Sequence, residues 1–231
     1  MTDMDMASRI KSIRERITLA AVRAGRDPGA VSLLGVTKRV EPDRVREAYG
    51  AGLALFGENY VQEALPKMAA LPPDAVWHMI GHLQSNKARR AVESFGVIQS
   101  VDRPSLAEAI NRAALSLGRR MRILVEVNLG DEESKAGCTV EGAFSLARRM
   151  GEWPGLELSG LMALPPYLAE PELVRPYFRQ LKEAAAKITA MGLPGVSMGM
   201  LSMGMSHDFE VAVEEGATIV RVGTALFGER G

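Results

Sequence analysis

Several residue types are scarce in this chain of 231 residues, and each scarcity excludes a class of protein. The single cysteine, Cys138, excludes an internal disulfide and is compatible with a reducing cytosol. There are only three histidines, and together with the one cysteine they show no metal-site spacing. Aromatic residues make up 5% of the chain, whereas hydrophobic residues as a whole make up 47%, which is enough for a large core. The composition therefore predicts a globular protein that needs neither a disulfide nor a metal.

An excess of charge is also lacking. Lysine plus arginine and aspartate plus glutamate number 28 each, so the formal net charge is zero, which argues against broad nucleic-acid or membrane electrostatics. No window approaches the roughly 18 uninterrupted apolar residues of a membrane span. Residues 1–6 show no basic region followed by an apolar core, so we expect no signal peptide. We expect a cytoplasmic protein.

What is present is a regular alternation of helical and strand patterns. An apolar stripe of helical spacing comes first, and β-branched apolar runs then alternate with further helical segments. The predicted strands are 31–37, 54–56, 76–80, 97–101, 122–129, 156–164, a segment within 196–203, and 219–222. The predicted helices are 4–24, 42–50, 58–68, 85–94, 104–117, 140–150, 171–191 and 209–215.

Eight strands separated by helices indicate a parallel sheet with right-handed crossovers. The even spacing favours an α/β fold of the (β/α)8 TIM-barrel type with an extra N-terminal helix, over an open doubly wound sheet. We expect one domain over residues 1–231. A doubled Ser-Met-Gly-Met, at 197–200 and 202–205, leaves the register of strand seven open.

A barrel places its functional groups at the carboxyl ends of its strands, and here those ends are rich in polar residues and glycine. They include a lysine, an arginine inside the last apolar run, and small residues that allow close approach to a phosphate. Pyridoxal phosphate needs a lysine amine, phosphate donors and a partner for its pyridine nitrogen, which these positions supply. The strand-end positions are Thr37, Lys38, Gly57, Glu58, Asn59, Gly81, His82, Asn128, Met162, Gly204, Met205, Ser206, Arg221, Gly223 and Thr224.

Lys38 is the candidate amine, although a lysine that ends an apolar strand is more often solvated. Partial desolvation, together with a cation such as Arg221 nearby, would favour its neutral, nucleophilic form. Lys135 is the rival, but the acidic residues just before it would favour the ammonium form. The alternative for Arg221 itself is an edge strand from which the side chain reaches solvent.

Six sequence runs together resemble one family, the pyridoxal phosphate homeostasis proteins (the proline synthetase co-transcribed homologue family). The run Trp-His-Met-Ile-Gly-His-Leu-Gln-Ser-Asn-Lys at 77–87 is specific to it. The others are Val-Thr-Lys at 36–38, Phe-Gly-Glu-Asn-Tyr-Val-Gln-Glu at 56–63, Gly-Leu-Met at 160–162, Leu-Ser-Met-Gly-Met-Ser with Asp208 at 201–208, and Arg-Val-Gly-Thr-Ala-Leu-Phe-Gly at 221–228.

The resemblance implies a barrel like that of alanine racemase (fold type III), with pyridoxal 5'-phosphate held as a Schiff base on Lys38. It places the phosphate at Ser206, Gly223 and Thr224, and the pyridine nitrogen at Arg221. Asn59 matches a position that lines the cofactor pocket. Ser206 is assigned through the second Ser-Met-Gly-Met copy. His82, at the end of strand three, is a further candidate contact, whereas His78 inside that strand is expected in the core.

The function implied is vitamin B6 homeostasis, in which the protein carries the cofactor without robust catalysis. An arginine beside the ring nitrogen disfavours its protonation and weakens the ring as an electron sink. We expect no second catalytic domain like that of the racemases. The alternatives are a racemase or lyase that uses Tyr60 or a partner chain, and a barrel for another phosphorylated ligand. Apo-enzymes that use the cofactor are possible recipients, and the chain is expected as a monomer or weak homodimer.

Overall fold

The computed structural model describes residues 5–130 and 136–229, and in it eight parallel strands close into a barrel in sequence order. The (β/α)8 prediction is confirmed, and the alternative of an open sheet is wrong. The strands are β1 Ser32–Val36, β2 Leu55–Glu58, β3 Val76–Met79, β4 Val97–Val101, β5 Met121–Val127, β6 Leu156–Ala163, β7 Val196–Ser202 and β8 Ile219–Val222. The α-helices are α1 Met6–Arg23, α2 Pro42–Gly50, α3 Val61–Ala69, α4 Ala88–Ser94, α5 Pro104–Ser116, α6 Val140–Arg148, α7 Arg175–Ala190, α8 Phe209–Glu215 and α9 Thr224–Phe227.

The additional N-terminal helix, α1, is present as expected. Asp5 caps it by accepting a hydrogen bond from the Ser8 N–H at 2.7 Å. The predicted apolar stripe, with Ile10, Ile13 and Ile17, is buried. This face packs on α8 and α9, so α1 covers the last βα unit from outside. Within the described ranges, no helix combines the length and the apolar character needed to cross a bilayer.

A chain of polar side chains crosses the barrel interior. The Arg221 Nη1 donates to Ser202 Oγ at 2.7 Å, and that hydroxyl donates to Gln99 Oε1 at 2.6 Å. The Gln99 amide in turn lies 2.7 Å from His78 Nδ1. Burial, followed by the charge of Arg122, lowers the pKa of His78 to about 4, so its ring is neutral at physiological pH. His78 is therefore a core histidine, as its position inside strand three predicted.

The elements around β2 and β8 differ from the sequence-based boundaries. Glu58 was predicted to open a helix, but it ends β2 with its side chain buried, and α3 begins only at Val61. The four-residue helix α9 was not predicted at all. The edge-strand alternative for Arg221 is wrong, because β8 pairs with both β1 and β7.

The two Ser-Met-Gly-Met copies have different positions in β7. The first copy lies inside the strand, whereas the second begins at its last residue, Ser202, and runs into the following loop. In that loop Gly204 has a φ of +90°, and a Cβ there would lie 2.5 Å from the Ala212 Cβ, so only glycine fits. The second copy therefore delivers Ser206 to the carboxyl end of the barrel, as the sequence alignment assumed.

Candidate functional site

A cavity of 300 Å³ opens at the carboxyl ends of β1, β2, β7 and β8, at the lower limit of the size range of small-ligand sites, about 300–1,000 Å³. Its polar wall holds six of the seven residues predicted to bind the cofactor. These six are Lys38, Asn59, Ser206, Arg221, Gly223 and Thr224. The remaining lining residues are Val36, Ile80, Leu164, Tyr167, Met205 and His207, most of them apolar.

Lys38 follows β1 in a tight turn. The Val40 N–H donates to the Thr37 carbonyl at 2.9 Å, and Arg39 has a φ of 55°, in the left-handed region that non-glycine residues rarely adopt. The Arg39 N–H also donates to Glu63 Oε2 at 3.2 Å. Such a conformation persists only where surrounding contacts determine it. The turn thus fixes the direction in which the half-buried Lys38 side chain leaves the strand.

A buried ion pair supports this turn from below. The Lys67 ammonium, on α3, donates to the Thr37 carbonyl at 2.7 Å and to Glu58 Oε1 at 2.5 Å. Thr37 Oγ1 also donates to Glu58 Oε1, at 2.9 Å, and the Asn59 N–H donates to Glu58 Oε2 at 2.9 Å. One carboxylate therefore joins the residue before Lys38 to the backbone of Asn59.

Asn59 is held against the end of β3 by a close backbone approach. A Cβ at Gly81 would lie 2.5 Å from the Asn59 carbonyl oxygen, a distance that no side chain permits. Glycine at position 81 therefore lets the β2–α3 connection pass over β3 and places Asn59 at the cavity wall.

Arg221 is 3% exposed and spans the barrel interior. Besides Ser202, its guanidinium donates from Nη2 to the Ala163 carbonyl at 2.7 Å. Burial lowers the pKa of Arg221 to about 10, while the charges of Glu126 and Asp208 act in the opposite direction. The side chain is still a cation at neutral pH, so the cavity has a fixed positive charge at its base.

Ser206, in the loop after β7, is tied to the loop that follows β8. Its Oγ accepts from the Gly223 N–H at 3.3 Å and from the Ala225 N–H at 3.2 Å. Asp208 stabilises the preceding turn by accepting from the Met205 N–H at 2.6 Å. Burial raises the pKa of Asp208, and its bond with Met205 opposes this. The Ser206 hydroxyl hydrogen then remains for donation to a ligand.

The rings of Tyr167 and His207 form the rim of the cavity. Tyr167 is 74% exposed and lies 5.1 Å from the His207 ring, centroid to centroid. His207 Nε2 lies 3.1 Å from both the Leu168 and Ala169 carbonyls, which joins the loop after β6 to the loop after β7. Tyr167 was missed because it lies in the loop beyond a strand end, where spacing gives no signal.

The seventh predicted residue, His82, lines a neighbouring cavity of 450 Å³ together with Tyr60. Asn59 borders both cavities. The His82 Nδ1 lies 3.9 Å from Asp102 Oδ2, and its contact with the cofactor stays a prediction. Lys135, the rival amine, lies outside the described residues. Within the described part of the chain no group of three or more metal-binding side chains comes together.

The six converging residues fit pyridoxal phosphate. They offer a primary amine, a buried cation, and hydroxyl and backbone donors at the junction of two loops, all facing one small cavity. An aldehyde, an aromatic nitrogen and a phosphate each find the chemical group that they require.

Comparison with known proteins decides the family. Residues 11–231 match the family model described as the N-terminal domain of alanine racemase. The chain is 46% identical to the pyridoxal phosphate homeostasis protein of Aquifex aeolicus over 228 residues, covering 98% of this chain and 99% of the relative. The chain belongs to the pyridoxal phosphate homeostasis protein family.

Further relatives agree in sequence and structure. The one from Pseudomonas aeruginosa is 42% identical, over 97% of this chain and 96% of its own. PipY of Synechococcus elongatus PCC7942, solved with PLP bound, has a TM-score of 0.80 and 40% identity, covering 94% of this chain and 100% of PipY. The resemblance drawn from the six sequence runs is confirmed.

Proposed function

We propose that this protein binds pyridoxal 5'-phosphate and carries it covalently on Lys38, in the service of intracellular vitamin B6 homeostasis. The observation that carries the proposal is the convergence of Lys38, the buried Arg221 and the Ser206–Gly223–Thr224 wall on one cavity. The family membership and the PLP-bound PipY relative support it.

In this proposal Lys38 supplies the primary amine that condenses with the aldehyde, forming a carbon–nitrogen double bond and releasing one water. Ser206 and Thr224 donate hydroxyl hydrogens to the phosphate, and Gly223 allows its close approach. Asn59, fixed by Glu58 and Gly81, borders the ligand on the side of β2. All these groups act by binding and orienting.

Arg221 accounts for the expected lack of robust turnover. When bound, the cofactor supplies an electron-withdrawing ring, and this ring withdraws most strongly when its nitrogen is protonated. The guanidinium is buried, bonded to Ser202 and Ala163, and positively charged, so it cannot accept that proton and repels it. The protein would then hold a reactive aldehyde, protect it and hand it over, with apo-enzymes as recipients. We place this role in the cytoplasm.

A first experiment separates a carrier from a racemase or lyase. We expect the loaded protein to exchange the α-proton of alanine in deuterated buffer barely faster than free pyridoxal phosphate, because Arg221 disfavours the protonated ring. Proton NMR of the alanine measures the exchange. Fast exchange accompanied by racemisation would show an enzyme instead.

A second experiment tests the phosphate wall. Thr224→Val keeps the side-chain shape and removes the hydroxyl donor, and a hydrogen bond to a charged group is worth roughly 1.5–3 kcal/mol. We expect the dissociation constant of the cofactor to rise about 10- to 150-fold in a spectrophotometric titration. Thr189→Val, whose hydroxyl donates to Ala185 within α7, is the matched control and should bind normally. Equal affinity in both variants would place the phosphate elsewhere.

A further inference from the structure

Glu126 is a buried carboxyl group that the proposed binding site does not use. It lies near the carboxyl end of β5 and is 2% exposed. Its Oε2 is buried without a hydrogen-bond partner among the described residues. A carboxyl group in such a place is costly when ionised, so its presence on the buried part of β5 calls for a functional explanation.

The strand register places Glu126 beside the contacts of Arg221. Glu126 pairs with Met162 on β6, and Met162 pairs with Ser202 on β7. Arg221 reaches across from β8, donating to Ser202 and to the Ala163 carbonyl on β6. The guanidinium therefore contacts β6, the strand next to the one that carries Glu126. The two opposite charges attract each other.

Other ionisable groups face this pair from the surrounding elements. Asp102, just after β4, adds a negative charge beside Glu126, and Asp208 adds one beside Arg221. Cys138 contacts the Glu126 backbone, with its Sγ 3.4 Å from the carbonyl, but burial raises the pKa of this thiol to about 12, so it stays neutral. Burial, followed by the charge of Asp102, raises the pKa of Glu126 to about 7, and Arg221 opposes the shift.

We propose that Glu126 is a positioning residue whose protonation state sets the charge that Arg221 presents to the bound cofactor, and so makes cofactor retention depend on pH. Protonated Glu126 leaves only Asp208 to compensate part of the Arg221 charge, and the larger net positive charge favours an anionic ligand. Ionised Glu126 neutralises part of that charge and weakens retention. This inference rests on the proposed function, and it supplies a release signal built into the barrel wall.

The test compares the wild type with Glu126→Gln, which keeps the shape and removes the ionisation. The dissociation constant of pyridoxal 5'-phosphate is measured by absorbance between pH 6 and 8.5 at constant ionic strength. Any titration of the ligand itself affects both proteins equally, so the ratio of their dissociation constants isolates the effect of Glu126. We expect nearly equal affinity at pH 6 and about fivefold tighter binding by Glu126→Gln at pH 8, rising toward about tenfold at higher pH, which is the effect of a one-unit pKa change of Glu126 on binding.

The ligand-free proteins give an independent measurement. The folded-state pKa of Glu126, about 7, lies above the ordinary value of 4.5, so the folded state binds the proton more tightly. The stabilisation that comes from binding this proton is therefore fully present below pH 4.5, and it is lost as the pH rises through about 7. We expect the Tm of the wild type to fall by several degrees more than that of Glu126→Gln between pH 5 and pH 8.

Two further variants fix the interpretation. Glu157→Gln, at the opposite end of the barrel beside Ser159, is the control and should follow the wild type. Asp102→Asn removes the neighbouring charge and should move the wild-type midpoint to lower pH. Parallel affinity and Tm profiles for the wild type and Glu126→Gln would overturn the inference alone. Failure of the wild type and of every variant to bind pyridoxal 5'-phosphate at any pH would instead refute the proposed function.

Discussion

Replacing Lys38 by alanine is expected to abolish the covalent attachment of pyridoxal phosphate while leaving the fold intact. The side chain is half-buried at the mouth of the cavity and leaves no apolar void when truncated. The β1 strand before it is held by pairing with β2 and β8, and the turn after it by the Thr37 carbonyl, none of which needs the Lys38 amine. The covalent attachment should therefore be lost while the fold is retained.

The measurement combines absorbance with mass spectrometry. The wild type should show a cofactor band and, after borohydride reduction, a stable added mass on the peptide that contains residue 38. Lys38→Ala should lose both signals. Non-covalent affinity should fall but persist, because Ser206, Gly223 and Thr224 remain in place to hold the phosphate.

Lys87→Ala provides the matched control, since Lys87 lines the neighbouring cavity beside Asn59. It should keep the band and the added mass at residue 38. Peptide mapping also addresses the rival amine. A reduced adduct on Lys135 in the wild type, with Lys38 unmodified, would contradict the assignment.

The positions of Lys38 and Arg221 were predictable from the sequence because each interrupts a simple pattern. Both are charged residues at, or inside, short β-branched runs, and a barrel brings such strand ends together whatever their separation along the chain. Ser206 was a strand-end candidate from the pattern, but its register was fixed only through the family resemblance, since the doubled Ser-Met-Gly-Met allowed two registers. The structure agrees with the second copy.

Glu58 and Lys67 show where sequence patterns fail. Glu58 was predicted both as a strand-end residue and as the start of a helix, and nothing local indicates that its side chain turns into the protein. Lys67 lies on that helix, at a position that its sequence spacing does not distinguish from that of a solvent-exposed lysine. Their pairing depends on how α3 packs against β2, which is tertiary information. Local periodicity cannot contain it.

Glu126 could have been found, because it interrupts an apolar strand just as Arg221 does. The sequence alone did not distinguish a carboxylate facing the barrel interior from one facing solvent. The register with Met162 and Ser202 settles the direction. Helix α9, with four residues, is too short for any periodicity to predict.

Lys67→Met is expected to be among the most destabilising single substitutions in this chain. The Lys67–Glu58 pair has side chains that are 5% and 0% exposed, and Glu58 also accepts from Thr37 and from the Asn59 backbone. Removing the ammonium leaves an uncompensated buried carboxylate, which costs about 3–5 kcal/mol. In a protein of this size each kcal/mol lowers the Tm by about 2–4 °C.

The measurement is a denaturant titration and a thermal melt of the ligand-free proteins. Lys11→Met is the control, because the Lys11 side chain is 79% exposed and its loss should change the unfolding free energy by less than about 0.5 kcal/mol. Similar stability of Lys67→Met and Lys11→Met would show that the buried pair contributes nothing.

The double variant Lys67→Met with Glu58→Gln separates the cost of an unpaired charge from the value of the pair itself. With both charges removed, no buried ion is left unpaired, so we expect most of the lost stability to return. Lys67→Met should also weaken cofactor binding, because the Thr37 carbonyl that flanks Lys38 loses its Lys67 donor, and the double variant should not restore this affinity. If stability recovers and affinity does not, the ion pair has a role in positioning Lys38. If both recover together, the ion pair serves only the stability of the fold.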